Sequence, residues 1–437
     1  MSQEKVGVAI IGCGTVGGAT AKVITDDIAF INKRSGLYLE LTAVVDRDVA
    51  ALTRQGLDES LFEPEFQKVL ENDEIKIVVE LVGGLTIAKQ FMEKALKAGK
   101  HVVTANKALL AHYGKELFAL ARENNAAIGF EASCGGGIPI IKALTDGLLA
   151  NRIDAFFGIV NGTCNYILTE MTEKGQSYKE ALSAAQKGGL AEADPTLDVN
   201  GMDSAHKLAI MSSLSYSEHV NLDDLSVEGI DKLDIQDIKM GQELGYIVKL
   251  IAAARKTDKG LDLSVSPSFI STDHPLARVS GAFNAVSVYG HAVGHTMYYG
   301  RGAGGSPTAS AVVADILALA LGITQNAFNS LTCWPDQTPD AQLIDRKDSV
   351  NRYYLRFKTD DKPGVVAHIS KLLGDKGISI SSMIQKETEE PVSVVIITHE
   401  AREGDILDVL EEVEKLNEIR ETPIYIKIAE EHQETIA

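Results

Sequence analysis

Apolar residues in the first third of the chain fall in short unbroken runs, separated by stretches where they recur every three or four positions. VGVAII (6–11), LELTAVV (39–45), the start of EIKIVVELVGG (74–84), HVVTAN (101–106) and AAIGFEA (126–132) are too short for helices. They are also too continuously apolar for half-exposed strands, so they read as strands covered on both faces, as in a parallel sheet. Between them, GCGTVGGATAKVI opens a helix, and AKQFMEKALKAGK (88–100) and KELFALARENN (115–125) carry helical spacing. Strand and helix alternating through short connections predict a Rossmann-type doubly wound parallel sheet over residues 1–133.

The pattern then changes. SCGGGIPIIKAL reads as a glycine loop and a helix, and RIDAFFGIVNG as a strand ending in a turn. LDLSVSPSFI, FNAVSVYG and AVGHTMYYG alternate with period two, as strands of a more antiparallel sheet do. A second, α+β unit is expected over 134–306. GRGAGGSPTASAVVADILALAL then gives a loop and a long apolar helix, about 307–325, assigned back to the first unit. Residues 326–350 are polar, contain Pro335 and Pro339, and read as a linker. From 351 to 437 the order is βαββαβ, a ferredoxin-like arrangement.

Composition narrows the partners. The 437 residues are 45% hydrophobic and 24% charged, with a net charge of −19. No basic stripe is available for nucleic acid or an anionic membrane surface, and no run of about 18 apolar residues exists to span a bilayer. Cys13, Cys134, Cys164 and Cys333 lie far apart without zinc-ligand spacing, as in a reduced, cytoplasmic protein.

Gly12, Gly14 and Gly17 form GxGxxG directly after the first strand and at the start of a helix. That context suits a dinucleotide pyrophosphate: a tight turn, close backbone approach and a helix N-terminus. Asp46 ends the second strand, where a ribose hydroxyl is held, and Arg47 beside it suits a 2′-phosphate. NAD and NADP therefore both stay open. Asp46 lies further from the glycines than the usual ~20 residues, which requires a long first helix or an extended loop. Lys107, in VVTANKALL, follows a strand at the edge where ligands gather in open α/β sheets. In GIVNGTCNYIL, Asn161-Gly162 is either a hairpin turn or a turn whose N–H groups face a ligand.

The stretch GGLAEADPTLDVNGMDSAHKLAI (188–210) concentrates Glu192, Asp194, Asp198 and Asp203 ahead of Lys207. Asp203 begins a helix, with Lys207 one turn on. The bland alternative is a routine i,i+4 ion pair worth a few tenths of a kcal/mol. Ala205, Leu208 and Ala209 are apolar, however, and carry Lys207 inward, where a lysine of depressed pKa serves as acid or base. Glu192 and Asp203 then suit a substrate ammonium, while Asp194 and Asp198 hold the loop or the lysine. The loop lacks calcium-binding spacing.

GCGTVG, VTANKALL, FEASCGGGIPII, GIVNGTCNYIL, GLAEADPTLDVNGMDSAHKLAI and GRGAGGSPTAS occur in this order in homoserine dehydrogenases, and residues 5–325 resemble that family. The C-terminal region, with DKPGVVAHIS after its first strand, resembles an ACT domain. The resemblance implies reversible, NADPH- or NADH-dependent reduction of L-aspartate 4-semialdehyde to L-homoserine. By that likeness Lys207 is the catalytic acid/base, and Lys107 lies near nicotinamide and substrate, with proton transfer divided between them. Glu192, Asp203 and Asp198 hold the amino acid. Thr15, Val16, Thr104, Lys107, Gly162, Gly189 and Gly304 join the glycines at the cofactor. The family also implies a monovalent cation, usually sodium, on Glu131 and the carbonyls of Cys134, Gly136 and Ile138. The ACT region implies feedback by threonine, with Asp361, Gly364 and Val365 and then Gly377 and Ser379 as the effector site, in a homo-oligomer, dimer or tetramer. The rival readings are another Rossmann amino-acid dehydrogenase and a non-catalytic nucleotide or amino-acid sensor.

Overall fold

The computed structural model describes residues 5–386 and 391–432. The first sheet has six parallel strands: β1 (Lys5–Ile11), β2 (Tyr38–Val45), β3 (Phe62–Glu63), β4 (Ile75–Glu80), β5 (His101–Thr104) and β6 (Ile128–Gly129). Their order, β3-β2-β1-β4-β5-β6, is that of a doubly wound sheet. Val8, Ala9 and Ile10 in β1 are fully buried, which explains the unbroken apolar run. The helix Thr15–Ser35 has 21 residues and accounts for the long gap before Asp46. Helix Lys107–Glu123 starts eight residues earlier than periodicity suggests, because the Asn106 side chain caps it by accepting from the Leu109 N–H at 3.1 Å.

The strand expected over 126–132 shrinks to Ile128–Gly129, and Glu131–Ser133 form a 3₁₀ turn. The cause lies in a later helix, Gly305–Ala320. Its buried Asp315 takes the Glu131 N–H at 2.7 Å and sits so close to Gly129 that a Cβ there would come within 2.9 Å. That helix packs on helix Thr15–Ser35 and on β4, β5 and β6, so the chain returns to the first sheet after building the second unit.

The second sheet contains β7 (Ile153–Ile159), β8 (Ser226–Val227), β9 (Tyr246–Thr257), β10 (Gly260–Ser271), β11 (Phe283–Gly290) and β12 (Gly294–Arg301). It continues into the C-terminal unit through β13 (Val350–Thr359), β14 (Ile380–Lys386), β15 (Val392–Thr398), β16 (Ala401–Arg402) and β17 (Ile424–Ile428). The order is β12-β11-β7-β9-β10-β17-β13-β15-β14. β17 is antiparallel to β13 but parallel to β10, where Ser268 and Phe269 face Lys427 and Ile428. β9 carries YIVKLIAAARKT, a stretch whose strand periodicity is masked by its central run of apolar residues.

Period two in β13 divides its side chains between two cores. Tyr353, Leu355 and Phe357 join the core under helices Val365–Asp375 and Glu403–Glu414. Tyr354 and Arg356 point the other way, onto Asp237, which is 1% exposed. Arg356 donates to it at 2.5 and 3.0 Å and the Tyr354 hydroxyl at 2.8 Å.

Residues 326–350 are packed down rather than free. Helix Ile323–Ser330 runs into them, Trp334 stacks on Phe118, and Arg122 pairs with Asp336 at 2.8 Å. Among the described residues no single helix is long and apolar enough to cross a membrane.

Candidate active site

Two helices from different units meet where the chemistry is concentrated. Helix Lys107–Glu123 belongs to the first unit and Met202–Tyr216 to the second, and their N-termini bring two lysines to one carboxylate. Asp203 Oδ2 accepts from Lys207 Nζ at 2.7 Å, and Asp203 Oδ1 lies 3.0 Å from Lys107 Nζ. Lys207 also donates to the Val160 carbonyl at 2.5 Å. Asn161 ties in the fourth group: its side-chain N–H donates to Asp203 at 2.8 Å and to Asp198 at 2.7 Å, while its oxygen caps helix Gly162–Lys174 through the Cys164 N–H.

Burial opposes charge on Asp203, but the two ammonium groups and the Asn161 bond outweigh it and hold the carboxyl well below the usual carboxylate range. Burial likewise pulls on Lys107, and the Asp203 carboxylate outweighs it and raises the ammonium pKa. Asp198 shows the opposite balance: burial pushes it up. The Asp203–Lys207 pair is i,i+4, but at this depth it is no surface ion pair. Lys207 is buried as the apolar spacing predicts, and Asp203, one turn earlier, lies against it.

These groups line a cleft of about 540 Å³ together with Ala105, Ser133, Gly135, Asn284 and Arg301. Three helix N-termini converge on it, those of Thr15–Ser35, Gly162–Lys174 and Gly305–Ala320, so Val16, Gly162 and Gly304 are on its wall. Such an arrangement presents N–H groups and partial positive charge to an anion. The first loop is built for close approach. Gly12 has φ +93°, a Cβ on Gly17 would sit 1.9 Å from the Gly12 carbonyl, and nothing lies within 4 Å of a Cβ on Gly14. Asp46 accepts from the Cys13 N–H at 2.8 Å and from its neighbour Arg47 N–H at 2.7 Å, which anchors the strand end to the glycine turn.

Family models match along most of the chain: homoserine dehydrogenase, NAD binding domain, over residues 12–131, homoserine dehydrogenase over 139–317, and ACT domain over 353–418. A homoserine dehydrogenase of Neisseria gonorrhoeae is 41% identical over 435 residues, covering 98% of this chain and 100% of that protein. One from Pseudomonas aeruginosa is 42% identical, over 98% and 99%. The chain belongs to the homoserine dehydrogenase family. A solved homoserine dehydrogenase from Thiobacillus denitrificans matches with a TM-score of 0.93 at 39% identity, over 98% of this chain and 99% of that one. A hyperthermophilic archaeal homoserine dehydrogenase in complex with NADPH matches with a TM-score of 0.61 at 31% identity, over 72% and 98%. Residues 12–131 thus form the nicotinamide-dinucleotide domain of a member of this family, with an ACT domain behind it.

Not every residue expected at the site of a homoserine dehydrogenase is gathered there. Gly189 reaches the wall, but Glu192 is exposed on the loop beyond it and lies off the cleft. Asp194 stays outside and holds the loop by accepting from the Thr196 N–H and hydroxyl. Thr104 is fully buried, its hydroxyl bridging Glu80 and the Asn106 N–H, and Ala105 faces the cleft instead. Arg47 is exposed. Asn161, which the sequence offers as a hairpin turn or a turn with N–H groups facing a ligand, brings its side chain to the site by joining Asp198 and Asp203. Its signal was an Asn-Gly pair leading into a helix rather than a second strand.

Glu131 sits under the cleft floor, 3% exposed, accepting from the Ile141 and Lys142 N–H groups at 2.8 and 2.9 Å. Burial pushes its carboxyl up to about 7. Cys134 and Ile138 are buried beside it, and Gly135 and Gly136 both have positive φ, which turns this loop's carbonyls sharply. The Ile138 carbonyl already accepts from the Ile140 N–H at 2.8 Å.

In the ACT domain, Asp361, Gly364 and Val365 lead into the N-terminus of helix Val365–Asp375, whereas Gly377 and Ser379 follow its C-terminus. At 1.5 Å per residue these 11 residues hold the two segments about 16 Å apart. Within one chain they do not form a single site.

Proposed function

We propose that this chain is an NAD(P)-dependent homoserine dehydrogenase that interconverts L-aspartate 4-semialdehyde and L-homoserine. The observation that carries the reading is Asp203 clasped between Lys207 and Lys107 on the wall of the glycine-lined cleft. The bound nicotinamide supplies or takes the hydride. As hydride reaches the aldehyde carbon, the carbonyl oxygen becomes an alkoxide, and Lys207 donates a proton to it to complete the hydroxyl. Asp203 keeps that ammonium in place, and Asn161 fixes Asp203 and Asp198 as one unit. Lys107, closer to the mouth, stabilises the developing charge. Asp203 and Asp198 face the substrate's ammonium group. The family likeness adds Glu192, which stands exposed on the loop beyond Gly189. Gly12, Gly14, Gly17, Gly162, Gly189 and Gly304 take the cofactor's pyrophosphate and nicotinamide ends. A sensor without catalysis has no use for a buried lysine, Lys207, beside a carboxylate that a second lysine also reaches.

Glu131 with the carbonyls of Cys134, Gly136 and Ile138 fits a monovalent cation. Glu131 is a buried carboxylate raised to about 7 beside buried Asp315; Lys142, 3.4 Å from Asp315, counters one of the two, and a monovalent ion would counter the other. The ACT domain gives feedback by threonine, and since its two candidate segments lie at opposite helix ends, a site using both requires two chains. That supports a homo-oligomer. Four free cysteines support a reducing, cytoplasmic setting.

The test is absorbance of reduced nicotinamide with homoserine and each cofactor, with and without millimolar threonine. Oxidation of homoserine supports the reading, and its absence with both cofactors overturns it. Threonine-insensitive activity would remove the feedback alone.

A further inference from the structure

Lys249 is a buried lysine that the chemistry above does not use. It lies near the start of β9, 3% exposed, on the face covered by helix Gly162–Lys174. Its acceptors are neutral: the Val279 carbonyl at 2.5 Å and the Asn165 side-chain oxygen at 3.2 Å. The acidic group facing it is Glu173, exposed near the end of the same helix, and burial pushes the ammonium down to about 8. A buried cation served by carbonyl groups alone is expensive, so what it holds matters.

It holds the segment 279–284. Asn165 donates to the Val279 and Phe283 carbonyls at 3.2 and 3.1 Å, so Lys249 and Asn165 share Val279. The Gly281 N–H donates to Thr169 at 3.0 Å, on the same helix. One turn toward the helix start, the Ala282 carbonyl lies so near Gly162 that a Cβ there would come within 2.8 Å. Ala282, Asn284, Gly162 and Thr163 all line the cleft. Lys249 therefore sits at the root of a clamp whose free end is cleft wall.

We infer that Lys249 is a positioning residue for the cofactor: it sets the register between helix Gly162–Lys174 and segment 279–284, and through them the wall against which the nicotinamide end lies. This rests on the cleft being the cofactor site. Lys249 touches neither cofactor nor substrate, so its removal loosens the wall without removing a proton donor.

The experiment compares Lys249→Met and Lys249→Gln with Lys100→Met in the full-length protein. Lys100 is the matched control, a buried lysine on the Asn72 and Ile75 carbonyls at 2.8 Å, at the N-terminal ends of the strands and away from the cleft. We expect Lys249→Met to raise the cofactor KM about tenfold with kcat within threefold, Lys249→Gln to recover part of that by keeping a donor, and Lys100→Met to lower Tm alone. An unchanged cofactor KM in both Lys249 variants overturns the inference. So does an equal rise in Lys100→Met, which would make the effect one of stability. If Lys249→Met does not fold, Lys249→Gln decides by the same criterion. Gly17→Val separates the two readings: full cofactor binding there overturns the cleft assignment, whereas its loss beside unaltered Lys249 variants overturns the clamp only.

Discussion

Replacing Lys207 by methionine keeps most of the length of the side chain and removes the ammonium group with its transferable protons. The structure sets the size of the effect. Asp203 loses its 2.7 Å partner but keeps Lys107 at 3.0 Å and Asn161 at 2.8 Å, so the carboxylate stays countered and Asn161 still caps helix Gly162–Lys174. The cost in folding therefore falls below the ~3–5 kcal/mol of a buried pair broken outright. The alkoxide, by contrast, loses its donor. General acid catalysis contributes about 10²–10⁴ in rate, equivalent to about 3–5 kcal/mol of barrier. We expect kcat for homoserine oxidation to fall by at least about a hundredfold, with cofactor Kd changed by less than about threefold. Steady-state kinetics and cofactor fluorescence titration give the two numbers separately. Turnover within threefold of the parent would refute the role of Lys207. A matching loss of cofactor binding would show that the variant damages the cleft rather than the chemistry.

Three further outcomes follow from other groups. Arg356→Met leaves the buried Asp237 carboxylate without its cation and, among the described residues, with the Tyr354 hydroxyl as its side-chain donor, so urea denaturation should show a loss of about 3–5 kcal/mol; a loss under about 1 kcal/mol would contradict the pair's importance. Glu131 is raised to about 7 from an unfolded value near 4.5, so the folded state holds the extra proton between those values. Stability attributable to it is greatest below about 4.5, declines as pH rises to about 7, and is level above. A monovalent cation on ionised Glu131 should then raise Tm more at pH 8 than at pH 5, with sodium against choline chloride at matched ionic strength; equal gains would rule the site out. Asp203→Asn leaves two lysines facing each other without their carboxylate, and should raise the homoserine KM at least tenfold and lower Tm; an unchanged KM would remove Asp203 from the substrate.

The first sheet was readable because its strands are buried on both faces, and burial writes continuous apolar runs. Periodicity carries no information about caps, which is why helix Lys107–Glu123 was placed eight residues late and Lys107 looked like a loop residue. β6 was overestimated because Asp315, nearly two hundred residues away, pulls the chain out of the sheet. The carboxylate cluster was legible as a cluster but not as a geometry. Spacing could place Lys207 one turn after Asp203, yet Lys107 reaches the same carboxylate from another unit, a contact that no local pattern encodes. Glu192 and the effector segments show the converse. Acidic density suggests a substrate role for Glu192 and family likeness one for the effector segments, while this chain has Glu192 in solvent and a helix between Gly364 and Gly377.

β17 is the strand on which assembly of the second sheet waits. It fills the place between β10 and β13, held by the Ala429 N–H on Phe269 at 2.9 Å on one side and by a five-residue antiparallel ladder on the other. While the chain is being synthesised, β10 emerges long before this neighbour and presents an open edge, the kind of template on which stray strands pair. Pro267 removes one ladder donor from β10 close to where β17 docks, and β8 covers Ser264 and Val265 early. Premature termination just before residue 424 would therefore leave the ACT match of 353–418 in place and yet yield a product with the β10 edge open and prone to aggregate.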